Sequence, residues 1–144
     1  MQIREIMTTN PEMISFDASL MDAAERMKDL DVGVMPVERD NSVVGILTDR
    51  DIVVRGLAEN KDPSKTRVSD IMSTDVITCP ADSPVEEAVQ TMEKSKVRRL
   101  IVTDASGRLA GIVSLGDIAT KSQAKEKMGG EALSKVSQPS HPIH

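Results

Sequence analysis

GILTDRDIV, Gly45 to Val53, returns later in the chain as GIVSLGDIA, Gly111 to Ala119. Each stretch opens on glycine, runs through apolar residues to a hydroxyl, and reaches an aspartate three positions on before turning apolar again. An apolar run that meets a hydroxyl-x-x-acid signature reads as a strand passing through a capped turn into a helix. A 144-residue chain carrying that unit twice is best read as a duplication.

Sliding the sequence on itself by about 65 residues, the test for an internal repeat, aligns the rest. Glu5-Ile6-Met7-Thr8 falls on Asp70-Ile71-Met72-Ser73, and Ala23, Ala24 and Met27 fall on Ala88, Val89 and Met92. VGVMPV (Val32 to Val37) falls on VRRLIV (Val97 to Val102). Each copy predicts a short extended entry (Glu12 to Ser15; Val76 to Thr78) and a helix near 19–30 or 84–95. Leu20, Ala23, Ala24, Met27 and Leu30 recur at helical spacing. Ser83-Pro84 reads as an N-cap followed by proline at the first helical position. A hairpin comes next, turning at Arg39-Asp40-Asn41-Ser42 or Asp104-Ala105-Ser106-Gly107, and a closing helix starts near Asp49 or Leu115. The fold class is α+β: two β-α-β-β-α motifs, expected to pack sheet to sheet with pseudo-two-fold symmetry, because about 60 residues alone bury too little surface. The expected organisation is motif 1 over 1–60, a polar linker over 61–66, motif 2 over 67–122, and a C-terminal helical extension and tail over 123–144.

Composition narrows the function. With 18 Lys+Arg against 23 Asp+Glu and a net charge of −5, nucleic acid is not an expected partner. No apolar run approaches the roughly 20 residues that span a bilayer, so no membrane role is expected. MQIREIMTT lacks the build of a signal peptide, and the single Cys79 excludes an internal disulfide framework; both fit a cytoplasmic protein. Cys79 reads as a small apolar filler. One Phe and no Trp or Tyr leave a flat ligand to be held by Val, Ile and Met. His141 and His144 lie in the tail with no flanking carboxylate or Cys, and neither motif contains a His, a Cys–His pair, a metal-ligand cluster or a phosphate-binding P-loop. No enzymatic activity, catalytic residue or metal site is expected.

Two readings of the repeated turn stand side by side. In the first, Thr48-x-x-Asp51 and Ser114-x-x-Asp117 are capping boxes, with the acid also favoured by the helix dipole. In the second, the helix N-terminus and hydroxyl take a phosphate while the aspartate pairs with ribose hydroxyls. Capping alone leaves the glycine before each strand unexplained.

These residues resemble a tandem cystathionine-β-synthase (CBS) domain pair, or Bateman module. The resemblance covers about residues 3–122 and rests on the two DIM-S-type openings, the VGVMPV and VRRLIV strands, and the two glycine-to-aspartate stretches, in order and in duplicate. The length is similar to that of bacterial stand-alone CBS pairs. The resemblance implies two clefts between the motifs, able to take AMP, ADP, ATP or S-adenosylmethionine, with no other cofactor required. One cleft would draw on Thr48, Arg50, Asp51, Val76, Ile77, Val97 and Arg98; the other on Ser114, Asp117, Thr9, Met13, Val32 and Gly33. Arg98 and Arg99 stand where the family often carries phosphate-binding cations, whereas Gly33 and Val34 are their first-motif counterparts and Gly116 replaces Arg50. By strand alternation, Arg98 and Arg99 should point to opposite faces. The resemblance also implies a homodimer formed through helices, for which Ile52-Val53 and Ile118-Ala119 are candidates unless they are core. The expected function is therefore a non-catalytic regulatory module that binds an adenine nucleotide and acts on dimer contacts or on a regulated protein. The alternative is a dimerisation scaffold with degenerate, unoccupied clefts.

Overall fold

A computed structural model describes residues 1–121; the expectations placed on the extension, the tail, His141 and His144 lie outside the described residues. The chain forms two compact units, each a CBS-like β-α-β-β-α arrangement with its own sheet. The first unit is Pro11–Val76; the second joins Met1–Asn10 to the described residues from Ile77 to Lys121.

In the first unit, β2 (Ile14–Ser15) runs parallel to β3 (Val34–Arg39), as a strand connected through a helix must, and α1 (Leu20–Leu30) makes the crossover. β3 then pairs antiparallel with β4 (Ser42–Thr48), giving the order β2-β3-β4. The hairpin turns on Asp40 and Asn41, both at positive φ (49° and 66°), the backbone that a two-residue turn between right-twisted strands needs. Leu20, Ala23 and Met27 of α1 bury against Ile14, Met35, Val37 and Leu47. Ser19 caps α1 by accepting from Asp22 N–H at 3.0 Å, and Asp31 ends it in the left-handed region. α2 (Asp49–Asp51) continues as a π-helical turn (Ile52–Gly56) and a 3-10 turn (Leu57–Glu59).

The second unit repeats this plan and adds a strand. Its sheet has the order β1-β7-β6-β5: β1 (Thr8–Thr9), β5 (Thr78–Pro80), β6 (Arg99–Thr103) and β7 (Leu109–Ser114). α4 (Val85–Ser95) buries Val85, Ala88, Val89 and Met92, while α5 (Leu115–Lys121) contributes Leu115 and Ile118. Its hairpin is longer: Asp104 accepts from the N–H groups of Ser106 and Arg108, and Gly107 takes φ +81°. One expectation is corrected here. Pro84 is the N-cap of α4 rather than its first residue: its ψ of 147° is extended, and it makes no side-chain cap. An N-cap N–H takes no part in intrahelical bonding, so proline is tolerated one position earlier than expected. The entry strands also sit slightly later than Glu12 to Ser15 and Val76 to Thr78, at Ile14–Ser15 and Thr78–Pro80.

The units do not follow the sequence repeats, because the opening segments are exchanged. A 3-10 turn at Ile3–Glu5 places Ile3 and Ile6 in the core of the second unit; α3 (Val68–Ile71) places Val68 and Ile71 in that of the first. The same three backbone bonds dock each segment. Val85 N–H donates to Met1 O (3.0 Å), Ile3 N–H to Ser83 O (2.9 Å) and Arg4 N–H to Ala81 O (2.9 Å). In the first unit, Leu20 N–H donates to Thr66 O (3.0 Å), Val68 N–H to Ala18 O (2.8 Å) and Ser69 N–H to Phe16 O (3.0 Å). The first helical amide of α1 and of α4, which has no partner inside its own helix, is satisfied in this way. The polar stretch before α3 is likewise tied down, since Pro63 O accepts from Met21 N–H at 3.0 Å. Within it, the Ser64 hydroxyl and amide donate to Asp62 and hold its carboxyl below the usual range.

Candidate functional site

The repeated turn has the same geometry in both units. Thr48 Oγ1 accepts from Asp51 N–H at 3.1 Å, and Asp51 Oδ2 accepts from Thr48 N–H at 3.0 Å. Ser114 and Asp117 make the same reciprocal pair, at 3.0 Å each way. The capping box is formed, and it occupies one oxygen of each aspartate. The other oxygen, Oδ1, faces a cation one helical turn on: Arg55 Nη1 at 3.9 Å from Asp51 and Lys121 Nζ at 3.6 Å from Asp117. Those cations also reach the opening segments, Arg55 to Met72 O (3.5 Å) and Lys121 to Ile6 O (3.4 Å). The two carboxylates are 18% and 26% exposed, enough to meet a ligand without being free in solvent.

The glycines that capping left unexplained have a packing cause. A Cβ on Gly45 would stand 2.5 Å from Met72 Sδ and 2.8 Å from Ser73 O. On Gly111 it would stand 2.6 Å from both Met7 Sδ and Thr8 O. In each unit the opening segment crosses the second hairpin strand so closely that only glycine fits. Each glycine therefore accommodates this crossing, with no ligand required to explain it.

The strand start of each repeat lies beside the turn of that same repeat. Val34 is in register with Thr48, and Gly33 O accepts from Asp49 N–H at 2.9 Å. Arg99 is in register with Ser114, and Arg98 O accepts from Leu115 N–H at 2.8 Å. Arg98 is half-buried and Arg99 exposed. Arg50 is exposed and donates its N–H to Asp49 Oδ1 at 2.8 Å. None of Arg50, Arg98 and Arg99 forms an ion pair among the described residues. Val32 is exposed, while Val97, Val76 and Ile77 are half-buried. Thr9 lies on β1, in register with Gly111. Met13 is half-buried, and its carbonyl accepts from Arg26 Nη1 at 2.7 Å.

Sequence reasoning missed Asp49. A Cβ on Gly33 would stand 2.8 Å from Asp49 Oδ2, so this carboxylate fills the space from which Arg98's side chain departs in the other repeat. The D-R-D triplet held the signal, but only the contact across the strand start gives it meaning. Ile52 and Ile118 prove to be core, whereas Val53 is 54% exposed. Cys79 is buried in β5, and desolvation, helped by the charge of Glu87, pushes its thiol up to about 11. Among the described residues no three His, Cys, Asp or Glu side chains are grouped to hold a metal, and no helix is long and apolar enough to cross a membrane.

Comparison with known proteins places this architecture. The family model for the CBS domain matches the chain twice, over residues 3–57 and 68–123. The chain belongs to the CBS-domain family. This tandem CBS pair is 36% identical over 139 residues to the uncharacterized protein YlbB of Bacillus subtilis, covering 95% of this chain and 92% of that one. It is similar to a hexameric CBS-CP12 protein from bloom-forming cyanobacteria, with TM-score 0.76 and 32% identity over 88% of this chain and 74% of that one. It is also similar to CBSX2 in a crystal structure with AMP, with TM-score 0.68 and 25% identity over 87% of this chain and 98% of that one.

Proposed function

We propose that this CBS pair is a non-catalytic regulatory module that binds an adenine nucleotide and signals through a change in conformation or dimer contacts. The observation that carries this reading is the pair of half-buried aspartates, Asp51 and Asp117, each with one oxygen not used by its cap. In the proposed role that oxygen meets a ribose hydroxyl, while the Thr48 or Ser114 hydroxyl meets a phosphate. Arg50 and Arg98, which form no ion pair among the described residues, supply positive charge for further phosphates, and Val32, Val76, Ile77, Val97 and Met13 supply apolar contact for the base, with Gly33 and Thr9 lining. The AMP complex of the similar CBSX2 supports the choice of ligand class. Regulation requires the nucleotide to favour one conformation or assembly over another.

Calorimetric titration with AMP, ATP and S-adenosylmethionine tests the reading. Asp51→Ala and Asp117→Ala should each weaken binding at least about tenfold, the loss of one charge-assisted hydrogen bond, with circular dichroism unchanged. Multi-angle light scattering with and without AMP reads the assembly. A second reading, a scaffold whose turns are caps only, is favoured by the complete capping boxes. It takes the lead if no adenine compound binds below millimolar concentration.

A further inference from the structure

Each exchanged opening segment is pinned by a thioether. Met72 Sδ and Ser73 O share the space over Gly45, and Met7 Sδ and Thr8 O share the space over Gly111. Main-chain pairing begins with the next residue in both cases. Ser73 and Ile46 exchange two N–H···O bonds of 2.9 Å, while Thr8 and Thr9 pair with Ile112 and Gly111. Met7 and Met72 are half-buried and pack on the edges of the two cores. The other methionines of the described chain differ from them. Met27, Met35 and Met92 are buried, Met1 and Met21 are 45% exposed, and Met13, although half-buried, packs against no glycine.

We infer that Met7 and Met72 are paired oxidation sites, at which a hydroperoxide releases the opening segment of each unit. The thioether lone pair attacks the terminal peroxide oxygen; the S–O bond forms, the O–O bond breaks, and the departing alkoxide or hydroxide takes up a proton as alcohol or water. Sulfur loses two electrons to the peroxide, giving methionine sulfoxide. A polarisable apolar group thereby becomes a polar one with a strong acceptor oxygen. Here that oxygen enters a contact shared with a backbone carbonyl, itself an acceptor, over a strand that leaves no space even for a Cβ. Sulfoxide reductases reverse the modification, so the site can cycle. Met7 and Met72 are half-buried where Met27, Met35 and Met92 are buried, so in this proposal an oxidant reaches them before the methionines of the core.

The test treats the full-length protein with graded hydrogen peroxide and reads each methionine by peptide mass spectrometry and each segment by hydrogen exchange. Met1 and Met21 should oxidise first, without changing exchange anywhere. Oxidation of Met72 should raise exchange at Ile46 and Ser73 at least about tenfold through local opening, and oxidation of Met7 should do the same at Thr8 and Asn10, the hydrogen-bonded positions of that pairing. Methionine sulfoxide reductase should reverse both effects. Met72→Leu and Met7→Leu, close in volume, should each abolish the response in one unit and leave the other intact. Two results overturn the inference: Met7 and Met72 sulfoxides that leave exchange unchanged, or oxidation of both only together with Met27, Met35 and Met92. The unsubstituted protein alone decides between these outcomes if a leucine variant does not fold.

Discussion

The two copies of the turn, Gly45–Asp51 and Gly111–Asp117, share their backbone chemistry and differ in their charges. Both keep the reciprocal hydroxyl–aspartate cap, the glycine under a methionine sulfur, and the cation one turn on that also reaches an opening segment. What has diverged lies at the strand start. The first repeat has Gly33 with Asp49 pressed against it; the second has Arg98 and Arg99 beside Leu115 and Gly116. Where the fold needs a particular atom to occupy or vacate a place, both copies comply. Where only charge is at stake, they have diverged, and charge is what a ligand would distinguish.

Three experiments bear on that comparison. The largest effect should come from the shared glycines. Gly45→Ala and Gly111→Ala each drive a methyl group into a sulfur and a backbone carbonyl, and overpacking of this kind costs about 1–3 kcal/mol. Chemical denaturation should show similar losses for the two variants. A loss in one unit only would break the equivalence of the two crossings. Next come the caps: Thr48→Ala and Ser114→Ala each remove an N-cap acceptor, at a cost of about 0.5–2 kcal/mol. If Thr48→Ala is the milder of the two, the π-helical turn at Ile52–Gly56 already relaxes the helix behind it.

The smallest effect concerns a position where the copies differ in chemistry. Cys79 and Ile14 occupy matching places, opposite Val102 and Val37 in their parallel ladders. Only the cysteine can ionise, and its thiol is raised from 9.0 to about 11 by burial. The unfolded chain therefore releases this proton first as pH rises, so the group's contribution is intact below pH 9 and lost progressively towards 11. Stability followed across that window should fall less in Cys79→Ala than in the unsubstituted protein. Identical slopes would show that Cys79 does not set the alkaline limit.

Much of the fold was legible because it is periodic. The spacing of Leu20, Ala23 and Met27 fixed α1 to within a residue or so, and polar tetrads marked both hairpins. The start of α4 was displaced by one position because proline is compatible with both N-cap and first-turn backbone, and only the observed ψ separates them. The exchange of opening segments was invisible. Ile3, Ile6, Val68 and Ile71 announce burial, but nothing local says in which core. Gly45 and Gly111 were legible as constrained positions and misleading as to cause, since the constraint comes from methionines far along the chain. The hydroxyl and aspartate of each turn were placed correctly as caps, whereas Asp49 acquires a role only through its contact with Gly33.

The exchanged segments also impose an order on synthesis. Met1–Asn10 leaves the ribosome before its partners, which begin at Ile77 and extend to α5, so it must wait while the whole first unit is made. The first unit in turn cannot close until Val68 and Ile71 have emerged. During that interval Ile3 and Ile6 are exposed apolar residues on a nascent chain, the condition under which chaperones are engaged and chains on neighbouring ribosomes trade segments. A gene cut at the repeat boundary would yield two products, each lacking the segment that completes its core.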